Sequence, residues 1–297
     1  MAYIEIKHLT KNYNKNRGVF NLSLEVNKGE IFGLVGVNGA GKTTTIRHMM
    51  GFLKADEGSV IISGLDAFKS SAEVKRHVSY IPGEINFPSH SSGESFLKNQ
   101  IQLSGRGSWQ RALELSELLQ LDIKADVASM SKGMKQKTAI VSALASDADI
   151  LIMDEPSTGL DPLMRDIFID LLKKEKKSGK TIFMTSNIFQ TVEEVCDRVA
   201  IISEGKIINT TKMSDIRHSK KKTYRMEFKN INDFNQFLSL GYKIKMKKEE
   251  ELQVFVEIFD ENINYLIKDI KRFDLVYFKE IKSSFEDHVI EVFKEEL

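Results

Sequence analysis

The segment Gly36-Val37-Asn38-Gly39-Ala40-Gly41-Lys42-Thr43 constrains the fold of this chain more than any other stretch. Three glycines within six residues weaken any helix or strand that contains them, so the segment reads as a turn. The apolar run over residues 31–35 reads as a buried strand leading into it, and residues 41 to about 50 read as a helix leading out. A strand, a glycine-rich turn and a helix in that order gather backbone amides at the positive end of a helix dipole, which makes a cradle for phosphate. Gly36, Asn38, Gly39, Ala40 and Gly41 supply the wrapping backbone. Lys42 can extend to the outer phosphates of a nucleotide, and the hydroxyls of Thr43 and Thr44 offer oxygen to phosphate or to a hard cation such as Mg²⁺.

A second run, Ile150-Leu151-Ile152-Met153-Asp154-Glu155, ends a buried type of strand on two carboxylates. Asp154 is expected to accept hydrogen bonds from metal-bound water. Glu155, one residue beyond and off the strand, is placed to polarise an attacking water. The chain's 43 Lys and Arg against 42 Asp and Glu leave a net charge of +1, with no global excess to hold a polyanion, so nucleic acid is not expected as the main partner. The lone Cys196 has no companion for a disulfide, which fits a reducing compartment. His48, His77 and His90 show no metal-ligand spacing. No signal peptide is expected, and no membrane-crossing helix, because the apolar runs stop at charges well short of the roughly 20 residues such a helix needs.

All four prolines and every glycine but Gly241 precede residue 206, whereas the last 86 residues carry 17 basic and 17 acidic side chains. This shift divides the chain into a first domain over residues 1–210, a linker over 211–222 and an accessory domain over 223–297. The run Lys220, Lys221, Lys222 reads as part of a solvated linker. In the first domain, apolar runs alternate with helical patterns, implying an α/β fold with a largely parallel sheet, and the helix-rich block at about 85–148 reads as an inserted subdomain. The remainder reads strand, helix, strand, strand, helix, strand, then a closing helix over 284–294, the split-βαβ or ferredoxin-like order.

Between the glycine and carboxylate motifs lies Met130-Ser131-Lys132-Gly133-Met134-Lys135-Gln136-Lys137, opening a helix about 20 residues before the Asp154 strand. After that strand comes Ser157-Thr158-Gly159-Leu160-Asp161. With the motifs in this order, residues 3–210 resemble the ABC-type ATPases; kinases and GTPases share the cradle but not a serine-and-glycine helix start ahead of the carboxylate strand. The resemblance implies a P-loop NTPase of ABC type, with antiparallel N-terminal strands beside the parallel core, and ATP with Mg²⁺ as ligands. It implies head-to-tail dimerisation, in which Ser131 and Gly133 of one subunit close over the γ-phosphate held by the other. Tyr13 matches the aromatic that stacks on adenine, Thr43 and Asp154 match the metal positions, and Asp161 matches the aspartate that communicates across the dimer interface. Lys132 and Met134 replace a glycine and a glutamine, a variant associated with bacterial exporter ATPases.

Two departures bear on the chemistry. Where the family usually carries a glutamine that touches Mg²⁺, after the strand ending at Tyr80-Ile81-Pro82, this chain has Gly83 followed by Glu84. Where the family carries a histidine against the γ-phosphate, Phe183-Met184-Thr185-Ser186-Asn187 presents Asn187. An asparagine amide can donate a hydrogen bond to phosphate but carries neither a proton nor a charge. The expectation is a subunit that binds ATP and dimerises but hydrolyses slowly, with Glu155 and Asn187 in the catalytic positions. The likeness to exporter subunits for peptides, drugs or lipids implies membrane-spanning permease subunits as partners, a homodimer or pseudo-dimer of ATPase domains, and a place on the cytoplasmic face of the membrane. Residues 85–96, with Phe87 and Phe96, are expected to face the permease. The rival reading is a soluble ATP-dependent switch that regulates a partner with little turnover.

Overall fold

The computed structural model describes residues 2–13, 17–88, 91–217, 220–281 and 284–295. His90, residues 89–90 of the expected permease-facing segment and residues 218–219 of the expected linker lie outside the described residues. The chain divides into two compact units, one reaching Met213 and the other beginning at Ser214.

The first unit opens with β1 (Ala2–Asn12), β2 (Gly18–Asn27), β3 (Ile31–Val35) and α1 (Lys42–Met49). Next come β4 (Glu57–Ile62), β5 (Leu65–Asp66), α2 (Ser71–Val74) and β6 (Val78–Ile81). Three helices follow, α3 (Gly93–Ser104), α4 (Trp109–Leu118) and α5 (Lys132–Ala145). The unit closes with β7 (Ile150–Asp154), α6 (Pro162–Lys177), β8 (Thr181–Ser186), α7 (Phe189–Val195), β9 (Arg198–Ser203) and β10 (Lys206–Lys212). β2, β1, β4 and β5 form an antiparallel sheet in that order. A second sheet runs β10-β9-β3-β8-β7-β6, parallel throughout except for β10 at its edge.

Every residue of β3, β7 and β8 is buried, as parallel strands covered on both faces require. Ile4, Leu22 and Ile62 of the antiparallel sheet share one core with Phe32, Leu34 and Ile152 of the parallel one. Each such side chain removed from water contributes about 1.5–3 kcal/mol, which fixes the two sheets against each other. The helices start where polar caps are available. Ser92, Ser108, Ser131 and Asp161 each accept a hydrogen bond from the amide three residues on, starting α3, α4, α5 and α6. Pro162 occupies the first turn of α6, where its missing N–H costs nothing, and lysines in the last turn complement the dipole.

In the second unit β11 (Lys221–Phe228), α9 (Ile231–Leu238), β12 (Lys243–Lys248), β13 (Gln253–Phe259), α10 (Ile263–Ile270), β14 (Leu275–Ile281) and α11 (Phe285–Glu295) follow α8 (Met213–Arg217), which straddles the boundary. Its sheet runs β12-β13-β11-β14 with every pair antiparallel, the ferredoxin-like arrangement. Alternate residues Tyr224, Met226 and Phe228 of β11 pack on Phe234 and Phe237 of α9 and Leu266 of α10, so one face is core.

Residues 211–222 are not a solvated linker where they are described: β10 runs to Lys212, α8 takes Met213–Arg217 and β11 starts at Lys221. Strand pairing is the physical reason. Lys222 lies 3.5 Å from Glu280 on the neighbouring β14, and the Lys221 ammonium sits 5.9 Å over the Phe259 ring, opposite it on β13.

Candidate nucleotide site

The carboxyl ends of three adjacent strands, β3, β8 and β7, build the site. β3 ends at Val35, and the chain turns through the glycine-rich loop into α1. Gly41 caps that helix with left-handed backbone (φ 112°), which a β-carbon disfavours and which lets the loop fold back over its own helix. Lys42 is only 5% exposed. Its ammonium donates to the carbonyls of Gly36 at 2.8 Å and Val37 at 3.3 Å, and it lies 3.5 Å from Glu155 Oε1. Ala40 is buried beneath the loop, with its amide donating to the Val37 carbonyl, so it shapes the turn from below.

At the end of β7 the Asp154 carboxylate is 2% exposed and fully engaged. Oδ2 accepts from the Thr43 hydroxyl at 2.7 Å, and Oδ1 accepts from the Thr185 hydroxyl at 2.6 Å. Such bonds allow a carboxylate to be buried without a cation beside it. Burial, and second to it the Asp154 charge, push the phenol of nearby Tyr80 up to about 12. Glu155 follows in left-handed backbone (φ 49°), and its amide donates to the Thr185 hydroxyl oxygen at 3.0 Å. Thr185 thereby ties the two acidic residues together. Sequence reading passed over it, because a threonine in an apolar strand reads as β-branched core; the available signal was a hydroxyl two residues before Asn187.

A cavity of about 360 Å³ opens here, lined by Tyr13 and Gly18, by Asn38, Gly39 and Gly41 of the loop, by Lys42, Thr43 and Thr44 at the start of α1, and by Glu155. Tyr13 is 44% exposed and offers an aromatic surface at the rim for a flat base. The remaining expected residues lie elsewhere. Asn187 is exposed immediately past β8 and is not among the lining residues. Ser131 caps α5 by accepting from the Met134 amide at 3.2 Å, and Asp161 caps α6 by accepting from the Met164 amide at 3.0 Å. Neither Ser131, Gly133 nor Asp161 lines this chain's own cavity.

A β-carbon at Gly83 would stand 3.1 Å from Asp154 Oδ2, so the backbone itself packs against the carboxylate, while Glu84 is exposed. Phe87 and Phe96 are half-buried and pack edge to face on each other, with centroids 4.6 Å apart.

The donor set fits Mg²⁺. A threonine hydroxyl and a carboxylate converge at the mouth of a phosphate cradle, all of it oxygen. Among the described residues no cluster of three or more His, Cys, Asp or Glu could hold a metal ion, so a cation here would share Thr43 and Asp154 with substrate oxygens and water.

A family model described as ABC transporter matches residues 19–158. The ABC transporter ATP-binding protein YhcH of Bacillus subtilis, itself uncharacterised, is 31% identical over 284 residues, covering 90% of this chain and 93% of that protein. The chain therefore belongs to the ABC transporter ATP-binding proteins, and it is an ATPase subunit of a transporter.

Other relatives sharpen the comparison. Nod factor export ATP-binding protein I of Paraburkholderia xenovorans is 36% identical over 212 residues, 70% of each chain. Linearmycin resistance ATP-binding protein LnrL of Bacillus subtilis is 33% identical, covering 72% of this chain and 70% of its own. Among solved structures, an ATP-binding subunit of an ABC transporter superposes with a TM-score of 0.66 at 30% identity, covering 72% of this chain and 92% of that one. A dimeric ATP-binding cassette in a post-hydrolysis state with ADP and phosphate shares the fold, at a TM-score of 0.64 and 22% identity, covering 71% of this chain and 98% of its own.

Proposed function

We propose that this subunit powers an exporter of peptides, drugs or lipids by ATP-driven closure of two ATPase domains on membrane-spanning permease subunits, at the cytoplasmic face of the membrane. The observation that carries the reading is the cavity lined by Lys42, Thr43 and Glu155, behind which buried Asp154 binds the hydroxyls of Thr43 and Thr185. Relatives named for Nod factor export and linearmycin resistance support the export direction. Residues 1–210 are assigned the ATPase, with the block at about 85–148 as its helical subdomain, and residues 223–297 an accessory role.

The loop amides and the start of α1 receive the phosphates, and Tyr13 stacks on the adenine. Lys42 exchanges the Gly36 and Val37 carbonyls and Glu155 for β- and γ-phosphate oxygens, since a doubly charged oxygen cluster outcompetes peptide carbonyls for an ammonium. That exchange frees Glu155 to accept a proton from the water that attacks the γ-phosphorus. Thr43 and Asp154 would hold Mg²⁺, which would supply positive charge to offset that of the phosphates. Ser131 and Gly133 of the second subunit meet the γ-phosphate from the opposite side, with Asp161 at the interface, so that nucleotide binding drives closure and its loss resets it.

Asn187 emerges from β8, between the cradle strand and the Asp154 strand, and its amide donates to phosphate without storing a proton. Hydrolysis is therefore slow. Asn187→His is expected to raise turnover at least tenfold with ATP affinity little changed; an unaltered turnover would overturn the slow-hydrolysis reading. The same residue gives weight to the soluble switch, in which binding matters more than turnover. Pull-down from detergent-solubilised membranes with ATP and Mg²⁺ separates the two: an exporter subunit brings down a polytopic membrane protein that stimulates its ATPase, and a switch brings down a soluble partner with no stimulation.

A further inference from the structure

Glu155 holds left-handed backbone at φ 49°, a region that disfavours any residue with a β-carbon and persists only where neighbours over-determine it. Three neighbours do so, on both sides of the residue. On the amide side, Glu155 N–H donates to Thr185, to the hydroxyl oxygen at 3.0 Å and to the carbonyl at 3.2 Å. On the carbonyl side, the Glu155 carbonyl accepts from the Thr158 amide at 3.1 Å, and the carbonyl one residue on, that of Pro156, accepts from the Gln136 side-chain amide at 2.7 Å. Gln136 is 4% exposed, so this bond lies in a dry environment where it is strong and its loss is felt.

Gln136 stands on α5, five residues past the Ser131 cap, on the helix that starts with the serine-and-glycine motif. The start of that helix also rests on the same loop: a β-carbon on Gly133 would come within 3.0 Å of the Gly159 carbonyl oxygen. The helix and the turn carrying Glu155 are thus fastened at two points, 20 residues apart in sequence at the Gln136 bond.

We propose that Gln136 is a positioning residue that sets the orientation of Glu155 and makes it depend on where α5 sits. This rests on the reading in which Ser131 and Gly133 meet the nucleotide held by a second subunit. α5 then attends to the partner's nucleotide, while its Gln136 bond acts on the Glu155 of its own chain. Engagement at one composite site thereby aligns the base of the other, and the two nucleotides are hydrolysed cooperatively.

The test uses the full chain with Gln136→Met, which keeps length and suits a buried site while removing the donor, and Gln136→Asn, which keeps an amide too short to reach. Single-turnover hydrolysis is expected to fall at least tenfold in both, and the Hill coefficient for ATP to drop toward one. ATP affinity should stay within threefold of the parent, and ATP-dependent dimerisation in analytical ultracentrifugation should persist. Hydrolysis within twofold of the parent in both variants overturns the proposal, as does a rate loss wholly matched by lost ATP affinity and lowered Tm, the pattern of a merely structural bond. Ser131→Arg is run alongside. If it dimerises and hydrolyses like the parent, the composite-site reading falls and the coupling with it; if it abolishes dimerisation while the Gln136 variants hydrolyse normally, the coupling alone falls.

Discussion

The parallel core sheet of the first unit and the antiparallel sheet of the second use charge in opposite ways. In the first unit's parallel sheet, β3, β7 and β8 are buried on both faces, so their polar side chains lie at or near their ends, where Asp154, Thr185 and the loop after β3 meet. In the second unit the strands are antiparallel and one face carries the core, so charges sit along the strands and find partners across them. Lys245 lies 3.1 Å from Glu257, and Lys222 lies 3.5 Å from Glu280. High charge density there is partly used up in cross-strand pairs, whereas a few buried charges in the first unit mark a site. Parallel topology concentrates chemistry at one edge because every strand ends on the same side.

The sharpest way to break this contrast is at Glu175, which is buried in the first unit. It holds Arg111 of α4 at 2.8 Å and Lys180 at 2.7 Å, and Lys180 also reaches Asp147 at 2.9 Å. Glu175→Ala removes the buried partner of Arg111 and one of the two carboxylates on Lys180; because Lys180 keeps Asp147 and Arg111 is partly exposed, urea denaturation is expected to show a loss of about 2–3 kcal/mol. Protection of β7 and β8 amides from hydrogen exchange should fall with it.

A smaller effect is expected from His48 of α1, whose Nδ1 donates to the Thr44 carbonyl at 2.8 Å and whose Nε2 has no partner among the described residues. Burial pushes its pKa below the ordinary 6.5. The unfolded chain then binds the proton more readily than the folded one, so stability is intact above 6.5 and falls as pH drops below it. His48→Gln should flatten that acid limb in urea midpoints measured from pH 7.5 to 5; an unchanged slope assigns the limb to other groups.

The smallest effect belongs to the second unit. Glu280→Gln removes the partly exposed partner of Lys222, and its cost is expected to stay within about 1 kcal/mol, with ATP affinity unchanged. A loss comparable to that of Glu175→Ala would erase the distinction between the units.

The outline of both units was legible because local patterns carry it. The apolar runs at β3, β7 and β8 announce buried strands, and the helix over residues 162–177 is bracketed by an Asp161 cap, Pro162 and terminal lysines. The order of elements after residue 220 was enough to imply the ferredoxin-like sheet that the pairing of β11 with β13 and β14 realises. β10 was passed over, since its polar Asn209, Thr210 and Thr211 alternate too weakly for an edge strand to stand out. Residues 211–222 misled for a related reason: a run of lysines reads as solvated until the opposite strands supply Glu280 and the Phe259 ring.

The sequence by itself determined the phosphate cradle and the acidic pair, because each is a contiguous motif whose spacing dictates its geometry. Only the tertiary structure decided what holds them in place. Thr185 reaches Asp154 from 31 residues away and Gln136 reaches Pro156 from 20 away, while Gly83 meets the same carboxylate through its backbone alone. Such contacts depend on which strands lie side by side and which helix crosses a turn. A linear pattern does not encode that adjacency, since pairing between distant segments is set by the burial of the whole core.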